Sequence, residues 1–275
     1  MKYLERSLKI LEELGDKAGI TMVVGNIGNL YLNKGKLEKA MIHYEKQLKI
    51  CKELGHKRGI SIAFGNTGIV YAELGSYEQA LESFNKSLKI LEELGSKRII
   101  SINLGNIGNV YKEIGDYDKA IKYYDEAVFI CNEMDSSYNL IHILIEKTEV
   151  LILQKKYQQA NKLISEVLEK SDEGRNDDIF YANLLLHKTE YFIESKDKSI
   201  EQLQKLFTAT NDEKDIADLH YELYQLLNIN ENPTIYKNQL DEHRKESLKI
   251  YKKIYRNTKT LKYKKRIEKL TPKKK

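Results

Sequence analysis

The sequence predicts an all-α protein built as a solenoid of antiparallel helix pairs. Two segments recur with a period of 40 residues. One reads GNIGNLY, GNTGIVY and GNIGNVY at residues 25–31, 65–71 and 105–111, and the other reads LKILEELG, LKICKELG and LKILEELG at residues 8–15, 48–55 and 88–95. The chain has 32% charged residues and only two prolines, as is typical of helical proteins. Because short helical units bury their apolar faces by stacking, the period favours a solenoid.

Each unit is predicted to hold two helices. The first runs from about Gly19 to Lys34, and Gly35 is suited to a left-handed C-terminal cap. The second begins near Leu37 and ends before Gly55. The later units carry N-capping residues at the start of the second helix, namely Ser76 and Asp116.

Three regions are expected along the 275 residues. Residues 1–172 form a regular array of a half repeat and about four repeats of 40 residues, and Ala40, Ala80, Ala120 and Ala160 keep its phase. Residues 173–256 form degenerate helical repeats that cap the array, with a polar hinge at 169–178 and a turn at Pro233. Residues 257–275 form a basic C-terminal helix and tail.

The repeat resembles the tetratricopeptide repeat. The family's pattern of an aliphatic-Gly pair, a Tyr, an Ala and an aromatic appears as Ile27-Gly28, Tyr31, Ala40 and Tyr44. The middle copy departs from it by placing Thr67 before its glycine. The 40-residue length is similar to the long subtype of Partner-of-Inscuteable-type scaffolds, kinesin light chains and bacterial regulators. The resemblance implies a right-handed superhelical solenoid whose concave groove binds extended peptides or partner helices.

The recurring glycines are predicted to lie inside the first helix of each unit. A mid-helix glycine costs about 1 kcal/mol relative to alanine. Six of them on one side, at positions such as Gly25 and Gly28, imply a compensating close approach of a neighbouring helix. We therefore interpret them as a contact surface and not as a phosphate-cradling or RNA-clamping loop.

The helix side opposite the core is predicted to line the groove. Its candidate binding residues are Asn26, Asn29, Asn33, Arg58, Asn66, Glu73, Arg98, Asn106, Asn109, Glu113, His142 and Glu146. An asparagine amide offers donors and an acceptor to a ligand backbone. Alternatively, Asn26, Asn66 and Asn106 bond to adjacent repeats as a structural ladder. Asn29 and Asn109 are expected to serve binding more than folding.

The charges of the groove are predicted to vary along the array. Carboxylate-clamp repeats carry a lysine one turn before the central asparagine, but Gly25 and Gly105 occupy that position here. Arg58 and Arg98 supply positive charge at the groove edge instead, or are simply solvated. In repeat four the equivalent stripe becomes acidic and aromatic. It consists of Tyr138, His142, Glu146, Glu149 and Leu153.

The C-terminal tail carries a strong positive charge. Residues 249–275 hold 13 lysines or arginines and one acid, a net charge of +12, which leaves −7 of the total of +5 for residues 1–248. Tyr251, Tyr255 and Tyr263 lie among these charges. The tail is interpreted as a capping helix with a solvated basic face, or as a surface for an acidic protein or for nucleic acid.

The sequence offers no catalytic motif: no nucleophile elbow, P-loop or metal-ligand spacing is found. We expect a cytoplasmic, non-enzymatic protein without cofactor, metal or membrane partner. Cys51 and Cys131 are expected to be unpaired core residues.

Residues 1–14 correspond in phase to the second helix of a unit. No first helix precedes them, so an apolar face is expected to be exposed. We expect either a missing N-terminal region or a neighbouring chain that packs on residues 1–14.

The leading functional prediction is a scaffold that binds a peptide or helix of a protein partner in its groove. The first alternative is a peptide-sensing regulatory module that forms the C-terminal part of a larger signalling protein. The second alternative is a nucleic-acid-associated protein that uses the basic tail.

Overall fold

The computed structural model describes residues 1–134, 137–170, 176–229, 237–258 and 260–271. All regular secondary structure in these ranges is helical. The chain forms two compact units: Met1–Asp135 with Asn257–Lys262, and Ser136–Arg256 with Tyr263–Lys275. The predicted all-α class is confirmed. The hinge at 169–178 and the turn at Pro233 lie largely outside the described residues.

The first unit contains seven helices in a regular order. They are α1 (Lys2–Leu14), α2 (Lys17–Asn33), α3 (Leu37–Glu53), α4 (Lys57–Glu73), α5 (Tyr77–Glu93), α6 (Lys97–Ile114) and α7 (Tyr117–Glu133). The pairs α2/α3, α4/α5 and α6/α7 pack together, and α3 and α5 also pack against the helices that follow them. This is the repeated helix pair that the period predicts. The turns within the pairs use Gly35, Gly75 and Gly115, all with positive φ.

The second unit continues the helical pattern with less regular lengths. It contains α8 (Ser137–Leu153), α9 (Tyr157–Lys170), α10 (Asn176–Ile193), α11 (Lys196–Lys205) with a 3-10 turn (Leu206–Thr208), α12 (Glu213–Asn228), α13 (Lys237–Thr258) and α14 (Leu261–Leu270). The last residues of α13 (257–258) and the first residues of α14 (261–262) belong to the first unit. Consecutive helices pack from α8 through α11.

The recurring glycines Gly28, Gly68 and Gly108 are helical, and each forms a close contact with the second helix of the same pair. A Cβ added to Gly28 would lie 2.5 Å from Cε1 of Tyr44, and the equivalent distances are 2.8 Å from Gly68 to Phe84 and 2.5 Å from Gly108 to Tyr124. All three aromatic rings are fully buried. The predicted glycine contact surface is confirmed, and the aromatic of the family pattern fills the space that each glycine leaves.

Helix α1 is the least buried part of the first unit. It packs against α2, but none of its residues is fully buried. Tyr3 is 86% exposed and Leu14 is 74% exposed. The predicted exposure of an apolar face at residues 1–14 is therefore present in the structure.

The core of the second unit includes much of the basic C-terminal region. Tyr251 and Leu270 are buried with Ala217 and Tyr221, and Tyr263 packs against them. Tyr251 is therefore a core residue and cannot stack on a nucleic-acid base. Cys51 and Cys131, both in the first unit, are buried free thiols, as predicted.

Candidate functional site

The candidate binding residues of the first unit lie on α2, α4 and α6. We call this surface the groove face: Met22, Asn26, Asn29, Asn33, Arg58, Ile62, Asn66, Ile69, Glu73, Arg98, Ile102, Asn106, Asn109 and Glu113. Its residues are exposed or half-buried. The 40-residue period places them in rows to which each helix contributes one residue. The aliphatic row consists of Met22, Ile62 and Ile102, and the amide row consists of Asn26, Asn66 and Asn106. Met22 in the aliphatic row is 66% exposed, and Ile102 is 37% exposed.

Two of the predicted binding asparagines also take part in the fold. The Tyr44 hydroxyl donates to Oδ1 of Asn29 over 2.7 Å. The Tyr124 hydroxyl donates to Oδ1 of Asn109 over 2.6 Å. Burial raises the pKa of Tyr44 to about 12, so its hydroxyl stays protonated. Each amide oxygen thus supports a buried tyrosine, and the expectation that these asparagines serve binding more than folding stays a prediction.

The middle repeat replaces both partners of this hydrogen bond. Ile69 stands at the asparagine position and Phe84 at the tyrosine position. A polar pair is thus exchanged as a whole for an apolar pair, which leaves no buried hydroxyl without an acceptor. The exchange explains why the groove face is less polar at its centre.

The amide row does not form a ladder between repeats. Within the described residues, no side-chain hydrogen bond joins Asn26, Asn66 or Asn106 to a neighbouring repeat. A buried residue that the sequence did not single out makes such a connection: Asn103 Nδ2 on α6 donates to Ser87 Oγ on α5 over 2.7 Å. Its only sequence signal is a polar residue at the position of Val23 and Ala63.

The two edges of the groove face carry opposite charges. Arg58 and Arg98 are exposed near the first turns of α4 and α6. Glu73 and Glu113 lie at the last turns of the same helices. Burial raises the pKa of Glu73, Lys262 acts against this rise, and Glu113 adds to it. A half-buried carboxylate at this edge therefore favours a nearby cation.

Part of the first unit comes from the end of the chain. Thr258 and Leu261 pack on the turns after α2 and α4. Thr258 meets the Cβ position of Gly35, and Cδ2 of Leu261 lies 2.7 Å from the Cβ position of Gly75. No local pattern in the sequence predicts this contact, because the two segments are far apart in the chain.

The remaining two candidate residues lie in the second unit, on α8. His142 is exposed and Glu146 is half-buried. The side chain of Tyr138 lies outside the described residues. The acidic and aromatic character predicted for this stripe stays a prediction.

The second unit also contains a buried ionic cluster around Asp218 on α12. Asp218 accepts hydrogen bonds from Tyr181 and Tyr251, each over 2.7 Å, and from Arg266 on α14. Burial disfavours the charge of Arg266, but Asp218 outweighs it and raises the pKa of the guanidinium. None of these four side chains is exposed. We interpret the cluster as an ionic contact that holds α14 against α12.

A histidine pair lies elsewhere in this unit. Nδ1 of His220 lies 2.8 Å from Nδ1 of His243, so one ring donates and the other accepts. Burial and then the neighbouring His243 lower the pKa of His220 to about 4. Phe207 packs against both rings. Among the described residues, no group of three or more potential ligands is arranged to hold a metal ion.

No helix in the described part of the chain is both long enough and apolar enough to cross a bilayer.

Family models of the tetratricopeptide repeat match residues 16–93 and 104–131. A comparison with curated protein sequences gave no match.

Several solved structures share the fold. A Rap protein complexed with Competence and Sporulation Factor superimposes with a TM-score of 0.73 at 16% identity, covering 93% of this chain and 70% of that chain. The apo form of the quorum sensor NprR from B. thuringiensis gives 0.64 at 17% identity, with 98% and 82% coverage. BtubC (BKLC) from P. vanneervenii gives 0.65 at 16% identity, with 76% and 88% coverage. At these identities the likeness establishes the fold alone, and the long repeat subtype stays a prediction.

Proposed function

We propose that this chain, which matches models of the tetratricopeptide repeat over residues 16–93 and 104–131, is a non-enzymatic scaffold that binds a peptide or helix of a protein partner on its groove face. The observation that carries the proposal is the aliphatic row of Met22, Ile62 and Ile102, in which Met22 and Ile102 are exposed and Ile62 is half-buried. Apolar side chains at matching positions of three successive repeats offer a continuous contact for one ligand. The comparisons indicate an interaction fold and no enzyme family.

The polar rows would fix the orientation of such a ligand. Among the described residues, the amide row of Asn26, Asn66 and Asn106 makes no side-chain hydrogen bond to a neighbouring repeat, so it would offer donors and acceptors to a ligand backbone. Arg58 and Arg98 would meet acidic ligand residues, whereas Glu73 and Glu113 would meet basic ones. Asn29, Asn33 and Asn109 would contribute amide N–H donors, and His142 and Glu146 would extend contacts onto α8.

A more specific proposal is that the chain has a regulatory role and senses a peptide. Two of the structural neighbours support it, since one is a quorum sensor and another was crystallised with Competence and Sporulation Factor. In that form the ligand would be a signalling peptide and the chain its sensor. Binding through the basic tail to nucleic acid is a second, separate proposal, supported by the charge of residues 249–275.

The groove face can be tested with peptides selected from a random display library on the full chain. Met22→Glu introduces a charge into the aliphatic row. Ile42→Glu is the matched control, because Ile42 is 63% exposed against 66% for Met22 but lies on α3. We expect Met22→Glu to weaken the selected peptides at least about tenfold, as for loss of an apolar anchor, and Ile42→Glu to leave their affinity unchanged. Equal effects of the two substitutions would contradict the proposal.

A further inference from the structure

The turns within the three helix pairs of the first unit differ in what covers them. Gly35, Gly75 and Gly115 have φ of 64°, 78° and 91°, so all three use a left-handed backbone. Thr258 and Leu261 cover Gly35 and Gly75, whereas no described residue lies within 4 Å of the Cβ position of Gly115. The left-handed backbone therefore explains why all three positions are glycine. At Gly35 and Gly75 the close approach of another segment is an additional reason.

The covering segment matches the surface in shape. Thr258 lies against Gly35 and Leu261 against Gly75, in each case where any side chain on the glycine would collide. The Thr260 hydroxyl, between these two contacts in the sequence, donates to Oγ1 of Thr258 over 2.6 Å. Thr258 and Leu261 thus contact two adjacent repeats.

The segment also matches the surface in charge. Lys262 follows Leu261 directly and interacts with Glu73, at the end of the helix that leads into Gly75. Glu113 of the next repeat adds a second negative charge to this edge. The contacts of Thr258 and Leu261, together with the positive charge of exposed Lys262 near Glu73, form a small interface, which a competing segment can replace.

We propose that the turn surface made by Gly35, Gly75 and Glu73 is a docking site for a segment with the pattern Thr-x-x-Leu-Lys, that Thr258, Leu261 and Lys262 occupy it in the free chain, and that a partner carrying the same pattern displaces them. The inference rests on the proposed function, since Glu73 and Glu113 belong to the groove face. It adds that the partner segment is cationic and carries an aliphatic anchor residue. It also adds that a segment of this chain competes with the partner for the site.

The test uses the full chain and a fluorescent synthetic peptide of residues 255–264 as the probe, with binding followed by fluorescence anisotropy. Leu261→Asp in the chain removes the internal anchor. We expect it to bind the probe at least tenfold more tightly than the wild-type chain does. Lys262→Glu, a second way to weaken the internal segment, is expected to act in the same direction. A probe that itself carries the Leu261→Asp change is expected to lose binding.

The two kinds of turn provide the matched control. Gly75→Ala and Gly115→Ala, each combined with Leu261→Asp, impose a similar backbone strain, but only the first fills the docking site. We expect Gly75→Ala to abolish probe binding and Gly115→Ala to retain it, with circular dichroism reporting that both variants are folded. Equal probe binding by the wild type and Leu261→Asp, or equal effects of the two glycine substitutions in folded protein, would overturn the inference.

A last comparison separates this inference from the proposed function. Met22→Glu is expected to leave probe binding intact while it weakens the library-selected peptides. If the selected peptides bind in a Met22-dependent manner and the probe does not bind, the docking site alone is refuted. If the probe binds as expected and Met22→Glu has no effect on any selected peptide, the proposed function of the aliphatic row fails and the docking site stands.

Discussion

The hydrogen bond between Tyr44 and Asn29 joins a buried ring to the groove face. Replacing Asn29 with isoleucine leaves the buried Tyr44 hydroxyl without an acceptor, which costs about 1–3 kcal/mol. We expect the double substitution Asn29→Ile with Tyr44→Phe to recover most of that loss, because it recreates the Ile69 and Phe84 pair of the middle repeat. Urea unfolding of the two single variants and the double variant measures the coupling.

The reverse exchange in the middle repeat is the control. Phe84→Tyr alone adds a buried hydroxyl, and Ile69→Asn supplies its acceptor. Additive effects in both cycles would show that the pairing does not govern stability.

The histidine pair predicts a dependence of stability on pH. The pKa of His220 is lowered from 6.5 to about 4 in the folded chain. Between these values the unfolded chain binds more protons than the folded one, so stability decreases as the pH falls through this window. We expect the loss to be on the order of 1–3 kcal/mol, since one pKa unit is worth about 1.4 kcal/mol and the site is only partly buried.

Denaturant unfolding at several pH values between 7 and 4 tests this expectation. His220→Gln is expected to flatten the slope relative to the wild type, whereas His142→Gln, at an exposed histidine of the same unit, is expected to keep it. Parallel slopes for the wild type and His220→Gln would exclude the pair as the source.

At the scale of the helix, the glycines differ in how much room their partners leave. An alanine at Gly28 would place its Cβ 2.5 Å from the Tyr44 ring, whereas at Gly65 the nearest atom is Asn103 Oδ1 at 3.2 Å. We expect Gly28→Ala to destabilise the chain by about 1–2 kcal/mol, because overpacking outweighs the gain in helix propensity. Gly65→Ala is expected to be neutral or slightly stabilising. Thermal unfolding of both variants gives the comparison, and a stabilised Gly28→Ala would contradict it.

The helices were largely predictable because their signals are local and repeated. A 40-residue period, turn glycines and a glycine opposite an aromatic are all visible along one stretch of chain. The rows of the groove face follow from the same period. The roles of Asn29 and Asn109 were harder to predict, because a polar residue on an exposed side gives no sign of a hydrogen bond to a ring 15 residues later. The contact of Leu261 with Gly75 was not predictable, since it depends on long-range packing.

At the scale of the whole molecule, the basic end of the chain divides into residues that hold the fold and residues that meet solvent. Arg266 pairs with buried Asp218, and Lys253 pairs with Glu213. Lys264 and Lys269 are exposed. Deleting residues 257–275 would therefore remove Arg266 and Leu270 from the core of the second unit, so charge reversal is the better test of polyanion binding.

We expect Lys264→Glu with Lys269→Glu to weaken DNA binding. The slope of the logarithm of the binding constant against the logarithm of the salt concentration is expected to decrease in magnitude by about 0.9 for each lost phosphate contact. Lys89→Glu with Lys122→Glu makes the same change in net charge at exposed sites of the first unit and is expected to have a smaller effect. Retention on immobilised DNA across a salt gradient measures both variants. Indistinguishable salt dependence would assign the binding to overall charge and not to the C-terminal region.

The Asn29 and Tyr44 pair has a consequence for how such a protein evolves. Both members lie within one 40-residue segment, so a gene duplication that copies the segment copies the matched pair. A later change to isoleucine and phenylalanine needs two substitutions in that copy and none in its neighbours. Each repeat therefore inherits its surface chemistry as a unit and can diverge alone, so an array can acquire a new partner while its interior stays the same.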